Sequence, residues 1–286
     1  MKILITGANG QLGNEFKILT QQYPQFDFVF TDVEEMDITD EAAIASIVQQ
    51  EKPDILINCA AYTAVDKAEK ETALAYLIND TAVGNLARVC SRLNILLVHI
   101  STDYIFDGKG YRPYAENDPP HPLSIYAKSK FAGEEAVFAN AKKALLIRTS
   151  WLYSEFGNNF VKTIMKYGKE RGSMNIVFDQ IGSPTYAYDL AKTILEILAL
   201  QPAWEDIQVY HYSNEGVASW YDFAKAIIEL SDIRCTIHAI ETKDYPLPAI
   251  RPYFSVFNKA KIKQQFHLEI PYWRDSLIEC LKRMKR

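Results

Sequence analysis

The sequence predicts an α/β fold: a doubly wound parallel sheet followed by a smaller C-terminal α/β lobe. Three observations predict it. From Met1 to about Ser150, short apolar runs alternate with longer helical stretches, the pattern of a parallel sheet with helices on both faces. The first run, Lys2 to Thr6, leads through a glycine-rich turn into a helical stretch. Beyond Trp151 the alternation loosens into shorter pieces, as expected of a lobe capping the sheet's carboxyl edge.

Strands are expected near 2–6, 26–31, 54–59, 95–100 and 144–149, and helices near 11–21, 40–50, 71–92 and 124–140. The first strand runs into Gly7-Ala8-Asn9-Gly10-Gln11-Leu12-Gly13, and strand, glycine turn and helix together form a Rossmann-type dinucleotide fingerprint. Gly7 permits the tight turn, Gly10 lets backbone approach a pyrophosphate, and Gly13 lets the helix pack close to the strand. The helix N-terminus then offers free N–H groups to phosphate. The second strand ends at Asp32, where a carboxylate would accept hydrogen bonds from the adenosine ribose. With that acid in place and no arginine in the glycine loop, the pattern leans toward NADH without excluding NADPH. Asp37-Ile38 either folds over the adenine or begins the next helix, with Asp37 as N-cap. After the third strand, the small residues Ala60 and Ala61 would let the cofactor's centre lie against backbone.

The fourth strand delivers Ser101-Thr102-Asp103-Tyr104. The loop Gly108 to Pro122 follows, and then Tyr126 and Lys130, four apart and therefore on one helical face. A ketone being reduced needs a proton donor at its oxygen as hydride reaches carbon. Tyr126 can donate the proton, Thr102 can hold the oxygen, and Lys130 can grip the nicotinamide ribose. A neighbouring ammonium is also expected to lower the Tyr126 pKa from its usual value of about 10. Trp151 emerges after the fifth strand as an apolar wall with one N–H donor, or as a core residue pinning the lobe. Helices near 158–171, 186–200 and 219–231 and strands near 175–178, 208–212 and 235–240 complete the lobe. The expected division is 1–150 with about 174–200 for the dinucleotide-binding domain, and about 151–173 with 201–286 for the substrate-binding lobe.

Composition narrows the class. A chain of 286 residues, 48% hydrophobic, can bury a sizeable core, and its net charge of -5 argues against a nucleic-acid partner. Cys59, Cys90, Cys235 and Cys280 are scattered, which is thiol usage of a reducing compartment. No signal peptide is expected, because the chain enters a strand at once, so the expected location is cytoplasmic. The apolar stretch Leu190 to Leu200 is too short for a membrane span. The five histidines lack ligand spacing, so no metal is assigned to the site. The basic tail Lys282 to Arg286 reads as a solvated helix end.

The chain resembles the extended short-chain dehydrogenases/reductases and, among them, the dTDP-4-dehydrorhamnose reductases. The likeness runs through Gly7 to Gly13, Asn58 to Glu69, Ser101 to Gly108, Tyr126 to Lys130, Arg148 to Trp151, Gly157 to Phe160, Gly182 to Thr185 and Arg251-Pro252. It implies NADPH- or NADH-dependent reduction of the C4 keto group of dTDP-4-dehydro-L-rhamnose. It implies cofactor contacts from Gly10, Gln11, Leu12, Asp32, Asp37, Ile38, Ala61, Tyr62, Thr63, Tyr126 and Lys130. It implies catalysis by Thr102, Tyr126 and Lys130, and sugar-nucleotide contacts from Thr63, Val65, Thr102, Asp103 and Trp151. Asn159 is a candidate amide donor to the pyrophosphate or a helix cap, and Arg251 a candidate phosphate ligand or a pairing residue. Some members resemble one another in a Mg2+-bridged homodimer built from carboxylates. Glu15 matches one such position, but Tyr188 stands at another. The alternatives are a nucleotide-sugar epimerase or dehydratase, which in a dehydratase would place Glu where Tyr104 stands, and a non-catalytic regulatory subunit resembling the methionine adenosyltransferase regulatory chain.

Overall fold

Every apolar run of the first half becomes a strand of one parallel sheet in the computed structural model, which describes residues 1–201 and 203–285. Arg286, the end of the basic tail, lies outside the described residues. The strands are β1 (Lys2–Thr6), β2 (Asp27–Phe30), β3 (Ile55–Asn58), β4 (Leu96–Thr102) and β5 (Ala144–Thr149). Their order is β2-β1-β3-β4-β5, with Ile207–Tyr212 beyond β5. All pairs are parallel, in a register that sets Thr6 beside Asn58, Asn58 beside His99, and Thr102 beside Thr149.

Both faces of the sheet are covered, which is why its strands read as continuous apolar runs. On one face Ile3, Ile5, Ile57, Val98 and Ile147 pack against α1 (Gln11–Leu19) and the helix Ala187–Ala199. On the other, Leu4, Leu56, Leu97 and Ala144 meet α2 (Glu41–Glu51) and the helix Ala82–Arg92. Asp40 caps α2, accepting from Ala42 N–H at 2.8 Å. Ser124 caps the helix Ile125–Asn140 through Ala127 N–H. Caps of this kind are worth about 1 kcal/mol each.

The expected helix 71–92 is broken. It runs as Thr72–Tyr76, a π-helical segment Leu77–Thr81, and Ala82–Arg92. The domain division also needs correction at two strands. Ile207–Tyr212, assigned to the lobe, extends the main sheet beside β5. Ser173–Val177, assigned largely with the sheet, pairs in the lobe with Thr236–Ile240. Neither run says in its own sequence which partner it will take. The lobe has its own core of Tyr153, Val161, Ile164, Phe223, Trp273 and Leu277. Part of it comes from the helix Trp273–Met284, which the sequence reading did not place.

Candidate active site

The strand order reverses between β1 and β3, and in open α/β sheets ligands bind at the carboxyl end of such a switch point. Gly7 sits there at φ +61, and a Cβ on it would lie 2.6 Å from the Ala60 backbone nitrogen. A Cβ on Gly13 would lie 2.5 Å from the Gly7 carbonyl oxygen, so α1 starts hard against the loop. Gly10 is the residue before α1, and Gln11 and Leu12 are its first two residues, whose N–H groups have no partner within the helix. Asn58 fixes the far side of this cradle. Its Oδ1 accepts from Thr6 Oγ1 at 2.7 Å and from Ala60 N–H at 3.2 Å.

Asp32 lies beside the loop and accepts from Asn9 N–H at 2.8 Å. Asn9 is also held by Lys17, whose Nζ donates to its Oδ1 at 2.9 Å. The sequence reading missed Lys17, a cation within reach of the loop. Asp37 is not a helix cap: its Oδ1 accepts from both N–H and Oγ1 of Thr39, and Asp40 does the capping. Ile38 is buried, and its carbonyl accepts from Asn85 Nδ2 at 3.3 Å. Ala61, Tyr62 and Thr63 continue from β3, and Tyr62 is gripped at both backbone groups by Asn79, at 2.9 and 3.0 Å. Asn79 lies in the π-helical segment and also donates to Ser129 Oγ at 3.0 Å, tying the strand exit to the Tyr126 helix. Nothing in the sequence pattern marks a π turn, so no signal pointed to it.

Thr102 is the buried tip of β4, Tyr126 lies in the first turn of the helix Ile125–Asn140, and the Thr102 side chain is close enough to Tyr126 to favour its phenolate. Lys130 is buried one turn further on, and its Nζ donates to the Ile100 carbonyl at 2.7 Å. The expected pKa relation is corrected. Burial pushes the Tyr126 phenol up to about 12, against the hydrogen bond from Thr102, and Lys130 is not what sets it. Burial brings Lys130 down to about 8, opposed by Glu134. A phenol held neutral is a loaded proton donor at neutral pH, as a reductase needs. Tyr104 packs edge-on against Tyr126, with ring centroids 5.7 Å apart.

Glu134 is a site-supporting residue that could have been read, because it follows Lys130 by one more turn on the same face. It is fully buried and forked by Arg148, with Nε 3.0 Å from Oε1 and Nη2 2.7 Å from Oε2. Ser101 Oγ donates to the same carboxylate. Arg148 Nη1 also donates to the Glu116 carbonyl at 3.0 Å. The reacting helix is thereby clamped to β4, β5 and the long loop.

Toward the lobe, Asp103 is buried, and its carboxyl is pushed up to about 7 despite hydrogen bonds from Ser255 and Thr102. Val65 opens a short helix whose Asp66 pairs bidentately with Arg251, at 3.0 and 2.7 Å. That pairing answers the question left at Arg251: its guanidinium is committed to a protein carboxylate. Asn159 takes up the capping role offered for it. It caps the helix Phe160–Glu170, and its Nδ2 is used on Ser154 O at 2.7 Å and Gln11 Oε1 at 3.0 Å. It touches the glycine-loop helix through Gln11. Trp151 is half-buried at φ +47, a left-handed conformation that costs a non-glycine residue about 1–2 kcal/mol.

The residues at Glu15 do not fit a bridging Mg2+. Glu15 is fully buried and accepts from Ser154 Oγ at 2.7 Å. Burial first, and Glu155 second, push its carboxyl up to about 9. At Tyr188 the ring is covered by the Arg283 guanidinium, 3.7 Å from its centroid. A raised pKa means that the folded state binds the proton more tightly. Its stabilising contribution is complete below the ordinary carboxyl value of 4.5 and is lost as pH rises toward about 9. Glu15→Gln, which mimics the neutral form, should therefore melt above wild type at about pH 8.5 and with it at about pH 5. Parallel melting curves at both pH values would contradict this.

A sequence model of the family described as RmlD substrate binding domain matches residues 1–286. The chain is 40% identical over 285 residues to the dTDP-4-dehydrorhamnose reductase of Aggregatibacter actinomycetemcomitans, covering 96% of this chain and 97% of that one. It is 40% identical over 283 residues to the spore coat polysaccharide biosynthesis protein SpsK of Bacillus subtilis strain 168, covering 98% and 97%. The crystal structure of dTDP-4-dehydrorhamnose reductase from Bacillus anthracis strain Ames, in complex with NADP, aligns with a TM-score of 0.94 at 39% identity over 99% of both chains.

Proposed function

This chain belongs to the RmlD substrate binding domain family, that of the dTDP-4-dehydrorhamnose reductases, and we propose that it reduces the C4 keto group of dTDP-4-dehydro-L-rhamnose to give dTDP-L-rhamnose. When bound, NADPH or NADH supplies the hydride. The observation that carries the reading is the placement of Thr102 beside Tyr126, with Lys130 buried one turn away, at the carboxyl edge that also carries the glycine cradle. Tyr126 gives its hydroxyl proton to the carbonyl oxygen as hydride reaches C4, and Thr102 holds that oxygen. Lys130, fixed by Ile100, faces the cofactor ribose. Val65, Asp103 and Trp151 line the sugar-nucleotide side, and Thr63 stands between the two ligands. Consumption of NADPH or NADH on mixing with dTDP-4-dehydrorhamnose, against a UDP-linked control, tests the reading. No consumption with the dTDP sugar would sink it.

An elimination reading has less support, because Tyr104 stands where a dehydratase carries its acid, with its ring against Tyr126. A purely regulatory subunit has no need of the joined Thr102, Tyr126 and Lys130. The four free thiols support a cytoplasmic location, and no helix among the described residues is long and apolar enough to cross a membrane. We extend the reading to a homodimer, which would have to form without a carboxylate cage at Glu15.

At the adenosine end, Asp32 disfavours a 2′-phosphate while Lys17 sits close by. Asp32→Ala should weaken NADH by about tenfold and NADPH by less, since it removes a ribose acceptor and a repulsive charge together. Fluorescence titration of both cofactors decides it. An equal loss for the two would place Asp32 away from the ribose.

A further inference from the structure

Trp151 and Trp220 stack face to face, with ring centroids 3.6 Å apart and planes 7° from parallel. Behind Trp220 stands Phe160, at 4.6 Å, and Phe160 in turn stacks on the fully buried Phe223 at 5.6 Å. An aromatic column thus runs from the lobe's core outward and ends in two indoles. Those two rings are half-buried, whereas Phe223, Tyr153 and Tyr186 in the same core are sealed from solvent.

Trp151 is held by its own backbone and by two neighbours. Its backbone is left-handed, at φ +47. Gly182 makes room for the indole, because a Cβ there would come within 2.7 Å of its ring atoms. Trp220 covers one face of the ring. Gly182 and Trp220 arrive as one unit, because Ala218 pairs with Gly182 and Ser219 with Ile181 in a two-stranded ribbon. Trp220 is the next residue and the first of its helix, whose start is locked by a capping box between Ser219 and Asp222. The ribbon, the box and the column all converge on the plane of the Trp151 ring.

We propose that Trp220 is a positioning residue for the sugar nucleotide: it fixes the plane of Trp151, so that the stacked indoles act as one rigid wall. This rests on the reading of Trp151 as a substrate-facing residue. A wall held in place before binding loses less side-chain freedom when the ligand arrives. Trp220 therefore acts on substrate affinity through Trp151 and leaves the cofactor side alone.

Steady-state kinetics of Trp151→Ala, Trp220→Leu, Trp220→Phe and the Trp151→Ala/Trp220→Leu double variant test this, with NADPH affinity and near-UV circular dichroism measured in parallel. Loss of a stacked aromatic partner changes a binding constant by up to about tenfold, so Trp220→Leu should raise KM for the dTDP sugar about that much. NADPH affinity should stay within about twofold of wild type, and Trp220→Phe, which keeps a flat partner, should bring KM back to within about threefold. The double variant should be no worse than Trp151→Ala alone, because Trp220 has nothing left to position. The near-ultraviolet signature of the stacked indoles should vanish in Trp151→Ala and in Trp220→Leu and weaken in Trp220→Phe. Should Trp220→Leu not fold, Trp220→Met, which fills the space with a flexible chain, carries the same expectation. KM unchanged in Trp220→Leu while Trp151→Ala raises it would overturn the proposal and leave the wall standing. KM unchanged in Trp151→Ala would remove the wall itself. Penalties that multiply in the double variant would mean that Trp220 touches substrate directly, which also overturns a role through Trp151.

Discussion

Tyr126→Phe should lose about 10^2- to 10^4-fold in kcat while NADPH affinity stays within about threefold. Phenylalanine keeps the ring, and with it the edge-on packing against Tyr104. What disappears is the hydroxyl, which is both the partner of Thr102 and the proton source for the developing alkoxide. Burial keeps that phenol neutral, so the wild-type enzyme is loaded with its proton across the working range. Thr102 and Lys130 remain in the variant, and the residual rate measures what positioning alone achieves. Presteady-state and steady-state rates with the dTDP sugar check this. A variant within threefold of wild type would remove Tyr126 from the reaction.

Arg148→Met should destabilise the fold by about 3–5 kcal/mol, the usual penalty for leaving a buried charge without its partner. Glu134 is wholly inaccessible, and Arg148 supplies most of what compensates its charge, with side-chain exposures of 0% and 5%. Methionine fills much of the space but leaves the carboxylate with Ser101 alone. Because Glu134 shares a helical face with Tyr126 and Lys130, turnover should fall together with stability. Adding Glu134→Gln to Arg148→Met should recover a large part of the loss, since it removes the stranded charge. Urea unfolding of the single and double variants measures both effects. A single variant within about 1 kcal/mol of wild type would show that the pair is not the clamp described here.

What could be read from the sequence follows a physical boundary. The half bearing the glycine turn was legible because buried parallel strands are continuous apolar runs, and because Gly7 and Gly13 answer to backbone approaches that no other residue permits. The spacing of Tyr126, Lys130 and Glu134 is a helical period and needs no structure to see. Properties set by what surrounds a group were not legible. The pKa of Tyr126 moves up because burial outweighs any nearby ammonium, and Lys130 turns its charge to the Ile100 carbonyl. Asp37 and Asp40 are equally good caps on paper, and only the turn at Thr39 decides between them. Asn159 looked available because its partner Gln11 lies 148 positions away. The π-helical segment that carries Asn79, and the stacking of Trp220 on Trp151, arise from long-range packing that leaves no local period.

The central claim is hydride delivery to C4 of a dTDP-linked sugar, and isotope transfer tests it most directly. The enzyme is given dTDP-4-dehydrorhamnose and NADPH deuterated at the transferable position, and the sugar product is read by NMR. The account predicts deuterium at C4 of dTDP-L-rhamnose in wild type, and at most about a hundredth as much in Tyr126→Phe over the same initial-rate interval. Deuterium at another carbon, or product formed in wild type without deuterium, would contradict it.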